Sequence, residues 1–249
     1  MRSSETTPPP RALVSGATSG IGRALTLRLA TAGYRVAAIG RRSDRLDELT
    51  IRFPDAIVTR VVDLRDHAAL PKILDQLVSE LGGLDLCVIN AGVDHRNPEL
   101  LPEPEIETVD VNVKAFVIMA VWAADLFKRQ RSGHIVGMSS VAAFWGNGRT
   151  LAYNASKAFE LRYLEGLHNN LAGLEVWVTD VRPGFVATEM TAGRNDMFWV
   201  SSPEKAAEQI YRAILKRKRV VYVTRRWRFI AWLMRLSPYQ LYRRLTVKS

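Results

Sequence analysis

Tyr153 and Lys157 stand four residues apart in the run Tyr153-Asn154-Ala155-Ser156-Lys157, with Ser140 thirteen residues upstream of the tyrosine. On a helix, that spacing stacks phenol and ammonium on one face, one turn apart. A nearby ammonium favours phenolate, which predicts a tyrosine pKa lowered toward a range useful for proton transfer. Many helices carry such a pair by chance. Its meaning depends on what the rest of the chain builds around it.

The rest of the chain alternates short apolar runs with amphipathic segments. Leu13-Val14 opens a strand that enters Ser15-Gly16-Ala17-Thr18-Ser19-Gly20-Ile21-Gly22, and a helix through Leu25 and Leu29 stops near Gly33. Further strands are expected at Val36–Ile39, Ile57–Val62, Leu84–Ile89, Ile135–Met138, Glu175–Val181 and Arg219–Val223. Helices fall between them, including a long one around residues 105–130 and one after the Ser202-Pro203-Glu204 cap. Strict alternation implies a single-domain α/β fold, a Rossmann-like doubly wound parallel sheet of about seven strands with helices on both faces.

Gly16, Gly20 and Gly22 form Gly-x-x-x-Gly-x-Gly between the first strand and first helix. Glycines there let backbone N–H groups approach a pyrophosphate at the helix N-terminus, although a glycine cluster can also be only a loop. The second strand ends in Ile39-Gly40-Arg41-Arg42, without the carboxylate that usually holds an NAD ribose. Arginine can bind a 2′-phosphate bidentately, so NADP(H) is favoured over NAD(H); a solvated basic turn is the plainer alternative. Asp63, after the third strand, is placed to accept from an adenine amino group.

Together these residues resemble the short-chain dehydrogenase/reductase family over residues 11–223. The glycine turn matches, with Ser15 where threonine is usual, and Asn90-Ala91-Gly92 matches the signature that shapes the nicotinamide side. Asn112, Ser140, Tyr153 and Lys157 fall where the family places its catalytic set, and Pro183-Gly184 with Thr188 matches its nicotinamide-carboxamide loop. The resemblance further implies cofactor contacts from Ser19, Ile21, Leu64 and Val186. It implies that Tyr153 exchanges a proton with a carbonyl or alcohol oxygen that Ser140 positions. Lys157 would bind the nicotinamide ribose, and Asn112 would hold a water linking Lys157 to solvent. Ser139 competes with Ser140, and only the spacing to Tyr153 separates them.

Hydrophobic residues at 47% and charged residues at 24% describe a folded domain of ordinary size. The single cysteine, Cys87, lies in an apolar run and excludes a disulfide framework or a cysteine metal cluster; a reducing cytoplasm is expected, and no metal site. Residues 1–10, rich in Ser, Thr and Pro, are expected to be a disordered leader with no secretory signal. The net charge of +10 is concentrated in residues 209–249, which hold twelve Lys/Arg and no Asp/Glu and leave the remainder at −2.

The 224–249 segment is therefore a basic amphipathic tail. Its arginines, tryptophans and wide apolar arc suit peripheral contact with an anionic membrane through residues 225–245. Packing over the substrate pocket or in a dimer, or contact with an acidic protein, are the alternatives. No nucleic-acid motif accompanies the charge. The loop Glu189–Ser201, with Met190, Met197, Phe198 and Trp199, suggests an apolar lid and substrate, as do Phe144 and Trp145; these aromatics could equally pack lid onto core. His95 could touch substrate from its loop, although a histidine there is more often merely exposed.

The sequence thus points to an NADP(H)-dependent oxidoreductase that interconverts a carbonyl and a secondary alcohol of a hydrophobic small molecule, working as a homo-oligomer. Two alternatives stand: a 3-oxoacyl-thioester reductase acting on an acidic carrier protein, and a non-catalytic dinucleotide-binding scaffold docked through its tail.

Overall fold

Ala12-Leu13-Val14 and Val36–Ile39 are apolar on both faces, which suits a strand covered on both sides and not one that faces water. The computed structural model describes residues 8–194 and 197–236 and places these runs at the centre of a seven-stranded sheet. The strands are β1 (Arg11–Ser15), β2 (Arg35–Gly40), β3 (Ile57–Val61), β4 (Leu86–Ile89), β5 (Gly133–Met138), β6 (Val176–Pro183) and β7 (Val220–Val223). All pair in parallel, in the order β3-β2-β1-β4-β5-β6-β7. This is the expected doubly wound architecture. Strand order reverses between β1 and β4, where Val14 pairs with Val88, and a crevice opens there at the carboxyl ends of the strands.

Helices α1 (Gly20–Thr31), α2 (Ser43–Arg52) and α7 (Pro203–Leu215) cover one face through Leu25, Leu29, Leu46, Leu49, Ile210 and Ile214. Helices α3 (Leu70–Leu81), α5 (Phe116–Gln130) and α6 (Leu151–Asn170) cover the other through Leu74, Leu77, Phe127 and Leu164. The long helix expected at 105–130 is α4 (Pro102–Val109) running through a π-helical turn, Asp110–Ala115, into α5. A π-turn inserts one residue and re-aims the side chains within it, which a 3.6-residue period does not reveal. That turn carries Asn112.

Helix α8 (Trp227–Leu236) follows β7. Pro8–Pro10 are exposed without regular structure, while most of the expected leader (1–7) and the end of the tail (237–249) lie outside the described residues.

Candidate active site

The crevice is a cavity of about 490 Å³. Its floor is the glycine turn. Gly16 and Gly20 have positive φ, and a Cβ on Gly22 would collide with the Gly16 carbonyl oxygen and Asn90 Nδ2. Among the described residues no side chain caps the first turn of α1, and that turn carries no acid. Open backbone N–H groups at a helix N-terminus suit an anionic pyrophosphate. Ser15 serves here where threonine is usual: its Oγ accepts from the N–H groups of Asn90 (3.0 Å) and Ala91 (3.1 Å), tying β1 to β4. Asn90 Nδ2 donates back to the Ser15 carbonyl at 3.0 Å.

At the β2 end, Arg42 donates to Thr18 Oγ1 (3.3 and 3.1 Å) and pairs with Glu189 at 2.6 Å. Arg41 makes only a 3.5 Å contact with Glu107. Asp63 is engaged by Arg65, whose guanidinium holds its carboxyl down at about 2. The adenine-accepting role expected for Asp63 therefore competes with an intramolecular ion pair. Ser19, Ile21, Leu64, Ala91, Gly92, Pro183, Gly184, Val186 and Thr188 all line the same crevice.

Tyr153 and Lys157 stand on one face of α6, the ammonium 5.8 Å from the phenol ring centroid. Ser140 caps a short 3₁₀ turn: its Oγ accepts from Ala142 N–H at 3.1 Å and donates to the Pro183 carbonyl at 3.3 Å. Ser139, the competing serine, turns its hydroxyl to the Asp180 carboxylate beneath the sheet end. Asn112 does not line the crevice. It stands behind Gly92, where its Oδ1 accepts from Val93 N–H (2.8 Å) and its Nδ2 donates to the Val93 carbonyl (2.9 Å) and Ser156 Oγ (3.0 Å). Its amide thus braces the loop after β4.

One expectation needs correction. Burial lifts the Tyr153 phenol above its ordinary range; Lys157 and Ser140 pull it down without prevailing, and Asp94 and Glu160 add to the rise. The ammonium field is offset because Lys157 is itself paired. Its Nζ donates to both Glu160 oxygens at 2.9 Å and to the Met138 carbonyl at 2.8 Å.

Of the two roles open to the lid aromatics, packing is the one the structure shows. Met190 reaches the crevice, but Phe198 stacks on Trp227 of α8 at 5.0 Å between centroids, with Phe185 and Trp199 edge-on around them. Phe144 and Trp145 line a second cleft beside α6 and α8, with Trp145 Nε1 donating to the Met234 carbonyl at 2.9 Å. They contribute no wall to the dinucleotide crevice. Asp94 and His95 do line it, and burial raises the Asp94 carboxyl. Sequence reasoning missed Thr18, Asp94 and Glu160. Only Glu160 carried a signal, an acid three residues after the lysine on the apolar side of the helix.

The family model for short chain dehydrogenases matches residues 10–198. An oxidoreductase of Myxococcus xanthus is 42% identical over 190 residues, 74% of this chain and 75% of its own length. The NADP-dependent 3-hydroxy acid dehydrogenase of Shigella flexneri is 34% identical over 178 residues, 70% of this chain and 71% of its own. Among solved structures, the closed form of a serine dehydrogenase complexed with NADP+ superposes with a TM-score of 0.76 at 29% identity, covering 82% of this chain and 88% of that one.

Proposed function

The chain belongs to the short-chain dehydrogenase/reductase family, and on that premise we propose an NADP(H)-dependent oxidoreductase that interconverts a carbonyl and a secondary alcohol, with Tyr153 as acid and base. The observation that carries this reading is the convergence of Tyr153, Lys157 and Ser140 on one wall of the glycine-floored crevice. When bound there, a nicotinamide dinucleotide supplies or accepts the hydride. Gly20–Gly22 and the N-terminus of α1 would hold its pyrophosphate, and Lys157 would take its nicotinamide ribose in exchange for one of its present partners, Glu160 or the Met138 carbonyl. Thr188 and the Pro183-Gly184 turn would flank the carboxamide.

Tyr153 gives its phenolic proton to the carbonyl oxygen in reduction, or takes the alcohol proton in oxidation. Ser140 donates to the same oxygen and fixes its position. The raised phenol keeps Tyr153 protonated near neutrality, which suits the reductive direction. Arg41 and Arg42 both reach the crevice, and β2 ends without an acid of its own, so a 2′-phosphate can exchange for their glutamate partners Glu107 and Glu189. Two relatives named for NADP support the same choice.

The substrate body meets Val93 and Met190, an apolar edge interrupted by Asp94 and His95. A panel of apolar ketones, 3-oxo acids and carrier-bound 3-oxoacyl thioesters, read as NADPH or NADH consumption, separates the substrate classes and the two cofactors. Tyr153→Phe should reduce turnover by about 10²–10⁴-fold. Unchanged turnover would remove Tyr153 from the chemistry, and no turnover across the panel would favour a dinucleotide-binding scaffold.

A second reading concerns location. We infer that α8 attaches the enzyme to an anionic membrane surface: Phe229, Trp232 and Leu236 point outward at 63%, 60% and 61% exposure, flanked by exposed Arg225, Arg226, Arg228 and Arg235. Among the described residues no helix is long and apolar enough to cross a membrane. The buried, free Cys87 suits a reducing cytoplasm. Exposed Val121 on α5 and Phe159 on α6 support a homo-oligomer, which light scattering would overturn by giving a monomer mass.

A further inference from the structure

Glu160 is a carboxylate placed where a fold has no need of one. It lies one turn after Lys157 on α6 with 1% of its surface exposed, and isolated charges are costly there. Both its oxygens accept from Lys157 Nζ at 2.9 Å, and Met138 at the end of β5 takes the remaining ammonium donor at 2.8 Å. We propose that Glu160 is a positioning residue that pins the Lys157 ammonium against β5 and cancels part of its field at the Tyr153 phenol, so that the acid is held in its proton-donating form.

Burial and Asp94 lift the phenol more than Glu160 does, and what is particular to Glu160 is its direct hold on the ammonium. On β6, Asp180 is occupied by Arg182, whose Nε lies 2.6 Å from Oδ2, and by the Ser139 hydroxyl. Arg182 also donates to Tyr222 Oη at 2.9 Å. From the loop after β4, Asp94 faces the site and acts on Tyr153 and Lys157 in the same sense as Glu160, but its ion pair is with Arg194, at 3.8 Å. Among the charged groups of the described residues, Glu160 is the one paired with the ammonium. Burial pushes its carboxyl up to about 7, with Lys157 pulling back and Asp180 adding to the rise. The offset is therefore strongest above neutrality and fades as Glu160 takes a proton below it.

The inference rests on the reading of Tyr153 as the acid, yet its test reads the phenol and not turnover. Phenolate absorbance is followed against pH as the difference between the full chain and its Tyr153→Phe variant, because the sequence holds seven tyrosines. The measurement is repeated with Glu160→Gln and Glu160→Leu, with circular dichroism reporting the fold at each pH. Both uncharged variants should titrate Tyr153 at lower pH than the parent. The alkaline loss of any reductase activity should move down with it, because that activity needs the protonated phenol. An unmoved midpoint in folded variants, or loss of fold in both, would make Glu160 a structural residue only and overturn the proposal. Failure of the acid assignment would show separately, as full turnover by Tyr153→Phe.

Discussion

Helices α6 and α8 both carry basic and aromatic residues, and they use them in opposite ways. On α6 the cation is buried and each donor is matched: Lys157 has two carboxylate oxygens and a carbonyl. On α8 the cations are exposed, and the buried positions are Trp227 and Ala231. Low dielectric makes a charge consequential to its neighbours, and water screens it. A lysine on α6 can thus tune one phenol, whereas four arginines around α8 can attract only a surface.

The contrast breaks most sharply at Lys157. Lys157→Met leaves Glu160 buried without its partner, which should cost about 3–5 kcal/mol of stability by chemical denaturation. The sign with pH follows from the carboxyl's position. Glu160 holds its proton more tightly folded than unfolded, so in this variant stability should be greater near pH 5 than near pH 8. Adding Glu160→Leu should restore most of the loss and remove the pH dependence. A single variant as stable as the parent at pH 8 would mean that α6 is screened as α8 is.

Much of this was legible in the sequence because it resides in residue type and spacing. Doubly apolar strand runs gave the parallel sheet, and the glycine spacing located the floor of the crevice. Tyr153 and Lys157 needed only helical period to meet. What escaped depends on partners distant in the chain. Glu160 meets the Lys157 ammonium in a dry setting only because α6 packs both side chains against the sheet. Asn112 depends on a π-turn that no periodicity marks. Phe144 and Trp145 follow the serine closely, yet the 3₁₀ turn at Val141–Phe144 sends them to the other cleft.

A smaller effect is expected where α8 docks. Trp227 fills the space above Gly184 and joins Phe185, Phe198 and Trp199 in one aromatic cluster. Trp227→Ala should cost about 3 kcal/mol, concentrated in α8 and the lid and read as faster amide exchange there. Uniform loosening of the whole sheet would instead make α8 part of the main core.

The smallest stability change should come from the outward face of α8, and there the membrane reading stands alone. Phe229→Ser with Trp232→Ser removes two exposed aromatics that touch little of the body, so melting should shift by no more than about 0.5 kcal/mol in stability. NADPH binding should be unchanged. Sedimentation with phosphatidylserine-containing vesicles should nevertheless fall several-fold, and the parent's binding should weaken with salt, because arginines supply the attraction and aromatics the insertion. Equal sedimentation by parent and variant would remove the bilayer as partner. If the variant instead changed mass by light scattering, the covered surface would be a second copy of the chain. Stability cannot separate these outcomes, since a face already in water owes the fold almost nothing.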